Sequence, residues 1–297
     1  MEKSSGPVTL DAPIEALVVR TVRGVDEVSQ PFRYDLELFS DDPNINPADV
    51  LGQSMTVHLQ VGEGVTRERS GLVSEFRLAG SAGSYFLYRV VLRPWLWFLS
   101  KTAGCRIFQQ KSIPEIVKEV FRGHGLTDFE EALAGTYAPL DYVVQYRETD
   151  LNFVSRLLEQ EGIYYFFKHE AGKHTLVLAD SSSAHQPVAG YEQVPFFPRD
   201  PHRKRVQEHV ERWEVQHSVV PGAVLLTDYD FQRPTANLMS RLQASSAHAM
   251  GDFEVYDYPG EYETSGTGET YARVRLEELQ TLSERAEGFA NARGIST

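Results

Sequence analysis

Hydrophobic residues at every second position mark the first hundred residues of the chain. Phe32, Tyr34, Leu36 and Leu38 alternate with Arg33, Asp35 and Glu37, and Val57, Leu59 and Val61 alternate with His58 and Gln60. A period of two turns one side of a strand to a core and the other to water. Leu72–Leu78 and Tyr85–Leu92 predict two more strands, joined by a hairpin loop at Ala79–Gly83. Short strands at this spacing predict a small antiparallel barrel or sandwich over residues 1–100.

The period changes after Pro94. Ser112 with Glu115 has the spacing of a capping box, and Ile116, Val117, Val120 and Phe121 form one helical stripe that stops at Gly123. A second helix is expected from Thr149 or Asp150, carrying Leu151, Val154, Leu157 and Leu158 and ending at Gly162, a residue suited to a left-handed helix stop. Ile163–Phe167 then reads as a strand that pairs with Thr175–Leu178 across a turn at Glu170–Lys173. Residues 101–182 are therefore a mixed α/β module. Residues 181–202 hold three serines and Pro187, Pro195, Pro198 and Pro201, a linker composition. Strands are expected again at Val206–Val215 and Ala223–Thr227. A long helix is expected from about Glu269, with Tyr271, Val274, Leu279, Leu282, Ala286 and Phe289 on its stripe.

With 297 residues, two domains of about 150 residues are expected. A formal charge of −13 offers no diffuse basic field for phosphates, so nucleic acid and anionic membrane are poor partners. The apolar run near Ile14–Val19 is broken by Glu15 and lacks a signal-peptide cleavage site, and no run of about 18 apolar residues could span a bilayer. The single cysteine, Cys105, cannot form an internal disulfide, which fits folding in a reducing compartment.

Motifs that suggest chemistry each have a plainer reading. His169 and His174, in a stretch reminiscent of a zinc-protease motif, are five apart rather than four, so on a helix they would sit roughly 140° apart. They read instead as parts of a polar turn. Glu159 and Glu161 read as solvated carboxylates at a helix end. Asp228 and Asp230 could share a strand face but lack further ligands. Gly62-Glu63-Gly64 and Gly266-Thr267-Gly268 lack the remainder of a nucleotide-binding loop. Cys105 reads as a small core residue. Arg199, His202, Arg203, Lys204 and Arg205 form the one local basic cluster, either a solvated loop or a dock for an acidic partner. Trp95–Leu99 and Tyr164–Phe167 are the densest aromatic runs and read as core or interface. No catalytic, cofactor-binding or metal-ligating residue is assigned.

The stretch Leu140–Ser181, LDYVVQYRETDLNFVSRLLEQEGIYYFFKHEAGKHTLVLADS, resembles the signature of VgrG proteins, the spikes of bacterial type VI secretion systems and relatives of phage tail hubs. The resemblance continues through Arg93–Ser100, Arg106–Val120, Asp228–Phe231, Asp257–Gly260, Ala272–Gln280 and Asn291–Gly294, in that order.

The resemblance implies a β-rich α+β fold with two small hub β-barrels, residues 1–100 and 183–297, flanking the module at 101–182. It implies a homotrimer whose six barrels sit on the Hcp tube, with baseplate proteins and effectors or adaptors as partners. Such a protein has a structural role rather than an enzymatic one and needs no cofactor. It is loaded in the bacterial cytoplasm and leaves without a signal peptide. Family members continue past the corresponding point into an OB-like domain and a β-helix needle, so the second barrel is expected to be incomplete here. A phage or extracellular-device hub is the neighbouring alternative. A cell-wall hydrolase is the alternative from another class, and it would need paired carboxylates or a metal triad.

Overall fold

In the computed structural model, residues 6–62, 65–188, 190–199, 207–245 and 249–292 are described. The chain divides into two compact units: residues 1–159 with 163–193 and 292–297, and residues 160–162 with 194–291.

The first unit opens with six strands, β1 (Val8–Asp11), β2 (Val18–Val25), β3 (Arg33–Ser40), β4 (Ser54–Gly62), β5 (Val65–Ala82) and β6 (Tyr85–Arg93). They form one antiparallel sheet in the order β1-β4-β5-β6-β3-β2, rolled as a half-barrel. The alternation read from β3 is realised residue by residue: Tyr34, Leu36 and Leu38 are buried while Arg33, Asp35 and Glu37 face out. The β5–β6 hairpin differs from expectation in length. Strand β5 runs through Ala82, so the loop shrinks from five residues to the turn at Gly83-Ser84, where Gly83 adopts φ +64°. That left-handed backbone is what glycine permits in a two-residue hairpin.

A short helical turn, α1 (Trp95–Phe98), leads to β7 (Ala103–Phe108), α2 (Ile113–Gly123), β8 (Phe129–Ala132), β9 (Val143–Thr149), α3 (Asp150–Glu161), β10 (Tyr164–Glu170) and β11 (Lys173–Ala179). The capping box closes as expected, with the Ser112 N–H donating to Glu115 Oε2 at 2.8 Å. Ile116, Val117, Val120 and Phe121 are all wholly buried. Gly162 ends α3 at φ +70°. Strands β10 and β11 pair antiparallel as expected, with Tyr165 opposite Leu178 and Phe167 opposite Leu176, and β8 adds in parallel to β11. Strands β7 and β9 pair with each other as a separate two-stranded ribbon. One hydrophobic core runs without a break from Leu17 and Phe32 through Trp95, Ile116 and Phe153 to Leu178, so half-barrel and α/β module share an interior. At about 1.5–3 kcal/mol per buried large side chain, that shared core ties the two together.

The second unit holds β12 (Val210–His217), β13 (Ala223–Leu226), β14 (Ser240–Gln243), β15 (Glu254–Asp257), α4 (Ser265–Gln280) and β16 (Glu284–Ala290). Strands β14, β13 and β15 form a small mixed sheet, and its Val224 and Leu226 pack with Tyr262, Tyr271 and Ala272. The long helix expected up to Phe289 is corrected here. Helix α4 stops at Gln280, and Ala286 and Phe289 lie on β16, paired antiparallel with β12. Leu279 faces the core, but Leu282 in the intervening turn is 68% exposed. Three- and four-residue spacing continues through this break by coincidence, and strand pairing overrides it. The expected strand at Val206–Val215 is β12, shifted towards the C-terminus; Val206 and Pro201 lie outside the described residues.

Candidate assembly surfaces

The histidines singled out from sequence are neither a metal site nor part of a solvated turn. His169 on β10 and His174 on β11 are cross-strand partners, with ring centroids 6.4 Å apart, and both side chains are buried against Phe32. His169 Nδ1 lies 3.2 Å from both the N–H and the carbonyl of Ser70, and its Nε2 lies 3.4 Å from the Tyr34 hydroxyl. Tyr34 in turn donates to Asp26 at 3.0 Å. The Trp95 N–H donates to His174 Nε2 at 2.8 Å. Burial pushes His169 down to about 3 and His174 down to about 4, so both are neutral near pH 7. Around them the hairpin is fastened to the half-barrel: Gly172 N–H donates to Thr56 Oγ1 at 2.9 Å, Thr56 and Ser70 hydroxyls meet at 2.8 Å, and Ser70 also bonds the Glu170 carbonyl. The cluster is a structural clasp.

The remaining candidates also resolve into structure. Glu161 is not a solvated carboxylate; the Tyr271 hydroxyl donates to its Oε1 at 3.0 Å, and burial pushes its pKa up. Asp228 and Asp230 lie in a loop rather than on a strand. Asp228 accepts the Glu261 N–H at 2.7 Å, and Asp230 binds Arg233 at 2.7 Å. Gly266-Thr267-Gly268 is the first turn of α4, capped by Thr264, whose hydroxyl accepts the Thr267 N–H at 3.2 Å. Cys105 is exposed on β7, contrary to the core assignment. Arg199 is exposed; His202, Arg203, Lys204 and Arg205 lie outside the described residues, as do Glu63, Gly64, Arg293 and Gly294. The aromatic runs serve the core through Trp95, Tyr165, Phe166 and Phe167. Among the described residues, no three His, Cys, Asp or Glu side chains are placed to share a metal, and no helix is long and apolar enough to cross a membrane.

Three surfaces carry what the motifs do not. The first is the outward side of the β7–β9 ribbon, where Cys105 sits opposite Tyr146 and Ile107 opposite Val144. Ile107 is 59% and Tyr146 63% exposed, while Phe108, Val143 and Gln145 on the other side are buried. The second is the outward side of the six-stranded sheet, which holds a groove of about 750 Å³ lined by Arg23, Arg33, Arg77 and Arg89 beside Asp35, Glu37 and Glu75. The third is the β12–β16 ribbon, which exposes Trp213, Val215 and Phe289. Exposed apolar rows on regular strands are typical of surfaces that meet another protein. A signal for the first was present in sequence, since Val144 and Tyr146 alternate with Val143 and Gln145. A neighbouring charged Arg147 and the apolar Val143-Val144 step obscure that alternation.

The profile of the phage tail baseplate hub (GPD) family matches residues 25–297. The chain belongs to this hub family. Among curated proteins, the hub chain is 43% identical over 292 residues to the type VI secretion system spike protein VgrG1b of Pseudomonas aeruginosa, covering 98% of this chain and 39% of that protein. It is 45% identical over 291 residues to VgrG1c of the same organism, covering 97% and 40%. The hub chain thus spans about two-fifths of these relatives' length. Among solved structures, an Escherichia coli type VI secretion component described as similar to T4 tail proteins gp27 and gp5 superposes with a TM-score of 0.69 at 22% identity, covering 97% of this chain and 64% of that one. A prophage MuSo2 43 kDa tail protein from Shewanella oneidensis gives 0.61 at 14% identity, covering 95% and 81%. The hub fold is therefore β-rich with few helices, as the half-barrel already indicated.

Proposed function

We propose that this chain is the hub region of a type VI secretion spike. Three copies assemble around an axis, seat on the end of the Hcp tube beside baseplate proteins, and are driven into a target cell with effectors or adaptors attached. The observation that carries this reading is the near end-to-end similarity to type VI spike proteins, which extends through both compact units. The half-barrel of residues 1–100, the module of residues 101–182 and the remaining segment of residues 183–297 then correspond to a first hub barrel, a signature module and part of a second hub barrel. The exposed strand faces support a role in assembly, and the polar groups that looked catalytic are engaged in clasps and caps, which supports a mechanical rather than enzymatic role. A spike loaded from the bacterial cytoplasm is exported by the contractile machine itself and needs no signal peptide.

The test is genetic. Deleting this gene in a bacterium with an active system is expected to stop release of the tube protein into the medium, and a plasmid copy of the complete gene restores it. Unchanged release after deletion, in a strain with no second spike gene, would overturn the proposal. The folds shared with prophage tail proteins favour one further reading, the hub of a contractile phage or injection device. In that case, loss of the gene removes particle assembly and leaves tube-protein secretion intact.

A further inference from the structure

Two charge arrangements in this chain are unfavourable within a single copy, and they have opposite sign. On the outward side of the half-barrel, Thr21, Glu37, Arg89 and Arg77 stand in one row across β2, β3, β6 and β5. Arg77 and Arg89 are therefore directly opposed cross-strand neighbours, a like-charge pairing that destabilises a sheet. Glu37 serves both Arg89, at 3.1 Å, and Arg20, at 3.2 Å, while Asp35 is taken by Arg33 at 2.6 Å. Arg23 and Arg77 have no carboxylate partner among the described residues. The groove they line is also partly apolar, through Val91.

The mirror arrangement lies on the β12–β16 ribbon. Glu214 and Glu287 are directly opposed there, and Phe289, two residues from Glu287, stands on the same side and is 57% exposed. Glu214 has Arg212 at 3.6 Å, whereas Glu287 has no cationic partner among the described residues. The ribbon is two strands wide, and such a ribbon in water is only marginally stable until something covers it.

We infer that the Arg77–Arg89 pair of one copy receives the Glu214–Glu287 pair of a second copy, with Phe289 entering the groove beside Val91. The contact joins two different surfaces, so it is head-to-tail, and repeating it around an axis closes a ring. With −13 charges per copy, most approaches between copies are repulsive; this pairing matches signs and thereby sets the register of the ring. The inference rests on the trimeric-hub reading above and names the surfaces that hold it together.

The test is a charge-swap cycle, Arg77→Glu, Glu287→Arg and the double variant, read by light scattering over a concentration series and by thermal melting. Each single swap places opposite charges across its own strand pair, so neither is expected to lower the melting temperature of the isolated chain. Each single swap is expected to weaken association at least about tenfold, and the double swap to restore it. Wild type that associates while both single swaps associate equally well overturns this contact and leaves the hub reading intact. Single swaps that dissociate without rescue in the double variant overturn the pairing of these two surfaces. A wild-type chain that stays monomeric at every concentration overturns both the contact and the trimer reading for this chain.

Discussion

Asp150 offers the sharpest quantitative test of how the α/β module is held. Its side chain is 3% exposed at the start of α3, where it accepts from Arg106 at 2.5 Å and from Gln145 at 2.6 Å, and meets His124 Nε2 at 2.5 Å. Gln145 is wholly buried, and Arg106 also donates to its side-chain oxygen at 2.7 Å. One carboxylate thus joins β7, β9, α2 and α3. Asp150→Ala removes the carboxylate facing a guanidinium and one of two acceptors of a buried amide, which keeps the Glu148 carbonyl at 3.1 Å. Breaking a buried ion pair costs about 3–5 kcal/mol. Arg106 is 36% exposed and regains water, which reduces that part to about 2 kcal/mol. The Gln145 N–H that loses its acceptor adds about 1 kcal/mol. The expected loss is therefore about 3 kcal/mol, and Asp150→Asn, which keeps an acceptor, is expected to lose about half of it. Urea unfolding followed by fluorescence reads this directly. In a Trp213→Phe background, the remaining tryptophans, Trp95 and Trp97, both report on the first unit. A loss below about 1 kcal/mol for Asp150→Ala, or equal losses for Ala and Asn, would refute the network as the module's fastening.

Three further expectations follow from the same structure. His169 and His174 are neutral when folded, near 3 and 4, against an ordinary value of about 6.5, so the unfolded chain binds more protons between those limits. Stability is therefore complete above about pH 6.5 and falls as the pH drops towards 4, by about 2 kcal/mol per histidine between pH 7 and pH 5; urea midpoints at the two pH values check it, and His169→Gln must shrink the difference. Gly268→Ala places a methyl 2.4 Å from Tyr262 and 2.5 Å from Ser240 Oγ, and is expected to destabilise the second unit by about 1–3 kcal/mol. Gly266→Ala, with nothing within 4 Å among the described residues, is neutral or gains up to about 1 kcal/mol, so equal melting losses for both would contradict the packing. Cys105, exposed on β7, is expected to react fully with a maleimide in the native monomer; protection that ends only on adding urea would place it in a core.

Much of the first unit was legible because local signals and tertiary structure agree there. The alternation at Tyr34–Leu38, the capping box at Ser112 and Glu115, and the left-handed stop at Gly162 each specify their element within a few residues. The second unit was harder to read for a physical reason. Phe289 continues the helical spacing of α4, yet Gly288 is a poor helix residue, and pairing with β12 decides the conformation. The burial of the histidines has no local signal, because His169 and His174 flank polar turn residues while the burying partners, Phe32, Ser70 and Trp95, are distant in sequence. The exposure of Cys105 has no periodic trace either, because the bulge between Gly104 and Cys105 sets which side of β7 faces water. Arg77 opposite Arg89 requires the register of an 18-residue strand, which the shorter expected strand did not reach with its turn.

The central claim is that this chain is an assembling hub, and its mass in solution tests that most directly. Light scattering across a concentration series is expected to converge on three times 33.5 kDa. A mass that stays at 33.5 kDa up to the highest concentration would contradict the claim that these surfaces join copies of the chain.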